Sequence, residues 1–192
     1  MGILSLLRNK NKAIKIMYDN IATTGEERHR ISKNIISEFK NSDYPLDKLA
    51  CGLAYINEGA AYRKQAIECI EFYFSHNNVE MPVNHNNFPY FSEWTLHSEL
   101  SKLYEKEYIF DKAIQQLEFC IQCDRSEPNC SDYTRIADLL VKESDVETAI
   151  RFLDSLKDLP FYVKIKYGVE NKYKELLDKK KKGYVYKPRK RK

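Results

Sequence analysis

The chain has 192 residues, of which 43% are hydrophobic and 31% are charged, and this composition suits one domain with a buried core. Only 6 glycines and 6 prolines are present, so turns must be few, which favours helices over a many-stranded sheet. The net charge of +4 is unevenly distributed, because residues 179–192 hold nine Lys or Arg and no acid. The remainder of the chain is therefore mildly acidic, and its C-terminal end is strongly basic.

The cysteines and the N-terminal segment indicate a compartment. Five cysteines are present, and an odd number without a secretory signal predicts reduced thiols in a cytoplasmic protein. The N-terminal segment has no long apolar core and becomes basic by Arg8, so it predicts neither a signal peptide nor a membrane span. Leu6 stands where a myristoylation signal requires Ser or Thr, which argues against lipidation.

Two helices are predicted before residue 45. Apolar residues at helical spacing predict the first over residues 3–21. Thr24 is then placed to cap a second helix, with Glu27 as the capping-box partner three residues later. Residues 1–44 are therefore expected to form an N-terminal helical cap.

Residues 45–78 predict a helical hairpin. Pro45 suits the first turn of a helix, and Gly52 would let two helices approach closely. Gly59 suits the connection between the helices, where a positive φ is easily adopted. This hairpin is the first of three similar segments.

Residues 77–92 form a long irregular stretch rich in Asn, Pro and aromatic residues. Two interpretations stay open: a packed spacer, or a functional loop that folds over a binding surface. Its apolar side chains would be costly to leave in water as one patch. Phe88 and Phe91 are therefore predicted to dock beside Trp94, with His85 exposed.

Two further hairpins are predicted over residues 94–128 and 132–160. In the first, apolar residues recur three and four positions apart, and Asp111 is placed to cap its second helix. Pro160 is expected to end the second hairpin. A capping helix over 161–182 follows, and residues 183–192 form a basic, flexible tail with too little apolar content to fold alone.

Three Ala-Ile pairs, beginning at Ala66, Ala113 and Ala149, mark an internal repeat. The last two pairs are 36 residues apart, and the first two are 47 apart because of the 77–92 insertion. The chain here resembles the tetratricopeptide repeat (TPR) family, whose unit is a helix–turn–helix of about 34 residues. The matching packing positions are Leu100, Ser101, Tyr104, Phe110, Ala113, Leu117 and Cys120 in the central unit, Tyr133, Ile136, Ala137, Leu140, Ala149, Leu153 and Leu156 in the third, and more loosely Gly52, Tyr55, Gly59, Tyr62 and Ala66 in the first.

The resemblance covers residues 45–160 and implies an all-α fold, a right-handed stack of about three helical hairpins between capping helices. It also implies a non-enzymatic scaffold or adaptor that binds a partner protein or peptide on the concave face, which the first helix of each unit lines. The residues that the alignment places on this face are Ser98, Lys102, Glu105 and Lys106 in the central unit and Thr134, Asp138, Val141 and Lys142 in the third. The alternative, that the lysines among them are only solvated charges, stays open.

The equivalent positions of the first unit are mostly apolar. They are Leu49, Leu53, Ile56 and Asn57. This composition predicts that the N-terminal helices cover that end. It also argues against the clamp for a C-terminal carboxylate found in some members of the family, because Leu49 and Leu53 replace the polar groups that the clamp requires.

Few features of the sequence indicate catalysis or the binding of a metal or cofactor. Cys120 and Cys123 have the spacing of a metal or redox pair, but Cys120 lies at a small packing position of the repeat and no second pair is nearby. The four histidines form no known catalytic or metal-binding pattern, and no glycine-rich phosphate loop is present. The sequence therefore predicts no catalytic residues, no metal and no cofactor.

The basic tail favours a second hypothesis. Lys187, Arg189, Lys190, Arg191 and Lys192 would attract a phosphate backbone or another polyanion, and Tyr184 and Tyr186 could stack on bases. This alternative is a nucleic-acid-associated regulatory protein, nuclear if the host has a nucleus, because the tail also resembles an import signal. No contact with a membrane is expected.

Overall fold

The described residues of the computed structural model are 11–20, 22–76, 92–123 and 128–188, and they contain nine α-helices and no β-strand. The predicted all-α class is therefore confirmed. The chain divides into two compact units, Met1–Phe91 and Ser92–Lys192. Within the described ranges, no helix is both long and apolar enough to cross a membrane.

The described residues of the first unit contain four α-helices. They are α1 (Lys12–Asp19), α2 (Gly25–Phe39), α3 (Pro45–Glu58) and, after a 3-10 turn over Ala60–Tyr62, α4 (Arg63–Phe74). Both α1 and α2 pack against α3, which also pairs with α4. The N-terminal helices therefore cover α3, as the apolar positions of the first repeat predict, and Leu49 is fully buried.

Two glycines of the first unit have the predicted roles. A Cβ added at Gly52 would lie 2.8 Å from Cγ1 of Ile70, so α3 and α4 approach more closely than an alanine allows. Gly59 follows α3 with a φ of 97°, a conformation that glycine adopts without strain. Pro45 is in the first turn of α3, again as predicted.

In the second unit, residues 92–123 and 128–188 contain five α-helices. They are α5 (Glu93–Lys106), α6 (Phe110–Gln122), α7 (Cys130–Glu143), α8 (Val146–Ser155), a 3-10 turn over Leu156–Asp158, and α9 (Tyr162–Lys181). α5 pairs with α6, α6 packs on α7, and α9 packs on both α7 and α8. The unit is therefore two helical hairpins followed by one more helix.

One predicted helix start is right, and two other predicted helix ends are wrong. Thr24 is the N-cap residue of α2, as predicted, but its side chain makes no capping hydrogen bond. Asp111 lies inside the first turn of α6, whose N-cap is Ile109, because that helix begins earlier than predicted. The α-helical part of α8 ends at Ser155, well before Pro160.

The side-chain caps occur at other positions. Ser92 accepts a hydrogen bond from the backbone N–H of Thr95, and Asn129 accepts one from that of Ser131. Asp145 accepts one from the N–H of Thr148 at 2.7 Å. Each cap satisfies an amide that the helix itself leaves without a partner.

Some predictions fall outside the described residues. These are the first part of the predicted N-terminal helix, the docking of Phe88 and Phe91, the exposure of His85, and the positions of Arg189, Lys190, Arg191 and Lys192.

The crossing of α5 and α6 is built from small residues. Ser101 and Ala113 are both fully buried, and Ser101 Oγ donates a hydrogen bond to the carbonyl oxygen of Ala113 at 2.9 Å. Helices that meet at small side chains approach closely, and a larger side chain would separate them.

Replacing Ala113 with leucine is therefore expected to lower the free energy of unfolding by about 1–3 kcal/mol through overpacking. Urea denaturation measures this loss. Gln115→Leu is the matched control, because Gln115 is exposed on the same helix and should tolerate the change. A neutral Ala113→Leu variant would contradict the predicted alignment of the central repeat.

Candidate functional site

The residues predicted to form the concave face lie on α5 and α7, and ion pairs connect those helices to each other and to α9. Lys142 Nζ of α7 is 2.5 Å from Oε1 of Glu105 on α5. Oδ2 of Asp138 on α7 lies 3.0 Å from Nζ of Lys172 on α9. The face is therefore a connected surface of three helices in the second unit.

Arg135 of α7 joins the same network. Its guanidinium lies 3.4 Å from Oγ of Ser98 and 3.5 Å from Oγ of Ser101, both on α5. It also lies 3.9 Å from a carboxylate oxygen of Glu105. Ser98 therefore positions a cation of the neighbouring helix instead of standing open to solvent.

A cavity of about 230 Å³ opens along this face. Its lining residues come from α5, α7, α9 and the segment after α9: Glu105, Arg135, Asp138, Leu139, Val141, Lys142, Lys179 and Tyr184. We call this cavity and the ion pairs around it the groove. Predicted residues Glu105, Asp138, Val141 and Lys142 all line it, so the structure brings these four together.

The charges beside the groove hold one another in the ionised state. Burial disfavours the ammonium of Lys172, but hydrogen bonds to Glu175 and Asp138 outweigh that effect and raise its pKa. Hydrogen bonds from Lys172 and Lys179 lower the pKa of Glu175. At neutral pH the groove therefore offers fixed charges of both signs.

The other predicted face residues do not line the cavity. Lys102 is exposed and pairs with Glu99, one turn earlier on α5. Lys106 is exposed, and the hydroxyl of Thr134 donates to the carbonyl oxygen of Ser131 within its own helix.

Sequence reasoning missed Arg135 and the two lysines of α9. Helical spacing could have found Arg135, because it lies three residues before Asp138 and so shares its face. Lys172 and Lys179 belong to a helix without a recognisable repeat motif, and only the packing of α9 on α7 places them beside the groove.

The aromatic residues of the tail are engaged within the chain. The Lys179 ammonium lies 5.6 Å from the ring centroid of Tyr184, and Tyr186 meets Phe110 edge to face at 5.7 Å. Lys187 is exposed. Stacking of these two rings on bases, one of the sequence hypotheses, would require them to leave these contacts.

Cys120, on α6, has a structural role. Cys120 is buried, as its packing position predicts, and its thiol donates to the carbonyl oxygen of Trp94 at 3.4 Å. All five cysteines are free thiols. In the part of the chain that the structure describes, no three His, Cys, Asp or Glu side chains form a group that could hold a metal ion.

His97 of α5 is a buried titratable group in this unit. Its Nδ1 lies 2.7 Å from Oε1 of Gln116, and its ring stacks on Phe119 at 4.9 Å. Burial lowers the pKa of His97, although the hydrogen bond to Gln116 opposes the shift.

A depressed pKa in the folded state means that the unfolded chain binds the proton more readily. Stability from neutral His97 is therefore lost as pH falls through the unfolded pKa of about 6.5. We expect the difference in free energy of unfolding between the wild type and His97→Asn to shrink from pH 7.5 to pH 5.5. Denaturant titrations at both pH values measure it, and a constant difference would contradict the predicted linkage.

Helical hairpins with small residues at their crossings, followed by a further helix that extends the same face, define a TPR-like repeat fold. Two solved structures of a Podosopora anserina protein, described as a candidate kinesin light chain with nearly identical TPR-like repeats, are similar to the chain. One of them aligns with a TM-score of 0.50 at 16% identity, over 95% of this chain and 96% of that chain. The other, a Q17M variant, gives 0.49 at the same identity and coverage. At this identity the likeness concerns the fold, and it confirms the TPR-like resemblance of the sequence.

The chain matches no family model, and no curated protein sequence is significantly similar to it.

Proposed function

We propose that the protein is a non-enzymatic interaction module that binds a peptide segment of a partner protein in the groove of its second unit. The observation that carries this proposal is the cavity between α5, α7 and α9, which four residues of the predicted concave face line together with Arg135 and Lys179. TPR-like folds generally bind protein partners, which supports the same function. Its reduced thiols favour a cytoplasmic location.

The residues that line the groove suit the binding of a peptide. Leu139 and Val141 line it beside charges of both signs, so it offers apolar contact together with groups that fix orientation. The side chains of Glu105 and Lys142 are 32% and 27% exposed, and partly exposed pairs of this kind contribute little net stability. A peptide carboxylate or amine can therefore exchange with one member of a pair at small cost.

The cationic residues also favour an acidic group on the peptide. Arg135, Lys142 and Lys179 line the cavity, against the carboxylates of Glu105 and Asp138. Arg135 can present two parallel N–H donors to a carboxylate, the geometry that suits such recognition.

Selection of peptides from a displayed random library on the full chain tests the proposal. The affinities of the selected peptides are then measured for a Glu105→Gln/Lys142→Gln variant, which loses one charge of each sign and so keeps the net charge. The matched control is Asp154→Asn/Lys157→Gln, which removes an ion pair of the same kind outside the groove.

We expect the groove variant to bind selected peptides at least about tenfold more weakly, since an interfacial charged hydrogen bond commonly contributes this much. The control should bind them as the wild type does. Equal binding by all three proteins would contradict the groove as the site, and turnover of a metabolite by the purified chain would contradict a non-enzymatic role.

A further inference from the structure

The chain turns back on itself after α9. That helix ends at Lys181, and Gly183 has a φ of 61°, which reverses the chain direction at little cost. The backbone N–H of Tyr184 donates to the carbonyl oxygen of Lys179 at 3.0 Å. Residues 184–188 then continue without helix or strand. The segment that follows α9 is thus held at its start by the last turn of that helix.

Alternate residues of this segment contact the body. Tyr184 lines the groove with Glu105 and Arg135. Tyr186 packs edge to face on Phe110, the first residue of α6. Val185 between them is 72% exposed. Tyr184 itself is 44% exposed, so only part of its ring meets the groove, and Tyr186 is half-buried. Contacts at alternate residues are those of an extended chain, whose side chains point to opposite sides in turn.

Phe110 and Glu105 place these contacts at one end of the groove. Glu105 is in the last turn of α5, and Phe110 begins α6 after the short connection between the two helices. The tyrosines therefore span from the cavity itself to the turn at its edge. Aromatic pairs at this distance contribute attraction beyond simple burial of area.

Resting on the proposed function, we propose that this end of the groove is a site for an extended peptide with aromatic residues two positions apart, and that the chain's own Tyr184 and Tyr186 occupy it in the free protein. The segment is then an internal competitor. A partner peptide of this class binds by taking the place of the two tyrosines.

The tether makes this competition effective. A short linker holds a segment at an effective concentration in the millimolar range. If the isolated segment binds with a Kd of about 0.1 mM, the attached one lowers the apparent affinity of a free peptide about tenfold. Replacing the two tyrosines should therefore strengthen the binding of a free peptide, although the substitution removes aromatic contacts from the protein.

The test measures binding of a labelled synthetic peptide with the sequence of residues 183–192, GYVYKPRKRK, to the full chain by fluorescence anisotropy. Three full-length proteins are compared: the wild type, Tyr184→Ser/Tyr186→Ser, and Val185→Ser as the matched control for the exposed position. A second peptide, with serine in place of both tyrosines, keeps every charge. Circular dichroism verifies that the three proteins are equally helical.

We expect the Tyr184→Ser/Tyr186→Ser variant to bind the tyrosine peptide at least about tenfold more tightly than the wild type or Val185→Ser. Adding Phe110→Leu to the double variant should weaken that binding, because Phe110 receives one of the rings. Equal affinity of the wild type and the double variant would overturn the proposal. So would equal binding of the serine peptide, which would show attraction by charge alone.

The tyrosine-peptide assay and the library selection can succeed or fail independently, so the internal competitor and the proposed function are tested separately. Library peptides that depend on Glu105 and Lys142, combined with no binding of the tyrosine peptide, would overturn the internal competitor alone. Binding of the tyrosine peptide that depends on Phe110 supports the competitor whether or not the library yields a ligand.

Discussion

Replacing Gly52 with alanine is expected to lower the free energy of unfolding by about 1–3 kcal/mol, as overpacking does in a close-packed interior. The added Cβ would lie 2.8 Å from Cγ1 of Ile70, 3.2 Å from Cβ of Cys69 and 3.3 Å from the carbonyl oxygen of Ala66. Two of these atoms belong to the backbone or are fixed directly to it, so α3 and α4 must move apart. Denaturant unfolding followed by circular dichroism measures the loss.

The sign of this effect is informative, because alanine is the better helix former by about 1 kcal/mol. Without the close approach, Gly52→Ala would therefore stabilise α3, and a neutral or stabilised variant would contradict the packing of α3 on α4.

Gly168 provides a matched contrast. There an added Cβ would meet only the Cys130 side chain, so Cys130→Ala should restore the stability of Gly168→Ala.

The second large effect is expected at Asp132, near the start of α7. Its side chain is buried, and its Oδ2 accepts a hydrogen bond from Nε1 of Trp94 at 2.9 Å. Hydrogen bonds to charged groups contribute about 1.5–3 kcal/mol, so Asp132→Ala should lower the free energy of unfolding by about that amount. Denaturation followed by the fluorescence of Trp94, the single tryptophan, measures stability and local environment together.

Asp132→Asn is the control for this change. Asparagine keeps an oxygen that can accept the hydrogen bond from Trp94 but removes the charge. The variant should therefore be more stable than Asp132→Ala and less stable than the wild type. Wild-type stability in the alanine variant, with an unchanged Trp94 emission, would contradict a structural role for the pair.

The sequence predicted those features that depend on neighbours along the chain. Helical spacing of apolar residues located most helices, and the small residues Gly52 and Ala113 marked two crossings where helices meet closely. The positive φ at Gly59 follows from the need to turn within a few residues. These predictions succeeded because each rests on a property of a single hairpin.

Features that join distant residues were not predicted. Trp94 and Asp132 are 38 positions apart, and nothing in either local pattern indicates their hydrogen bond. Lys172 joins the groove only because α9 packs on α7. Capping failed for a related reason: several Ser, Thr, Asn and Asp side chains compete for each helix start, and a shift of one or two residues changes which of them caps.

The tail illustrates the limit of composition as a guide. Its charge and its low apolar content predict a segment that does not fold alone, and its described residues 184–188 form no helix or strand. Two of its few apolar side chains, Tyr184 and Tyr186, nevertheless contact the body. Composition describes the segment alone and carries no information about the surface that receives it.

The central claim is that the groove of α5, α7 and α9 binds a peptide, and hydrogen–deuterium exchange of the full chain with and without a library-selected peptide tests it most directly. The backbone amides at the ends of α5 and α7 that border Glu105 and Lys142 should exchange more slowly when the peptide is bound, while those of α8 should be unchanged. Protection confined to α8, or to the helices of the first unit, would contradict the claim.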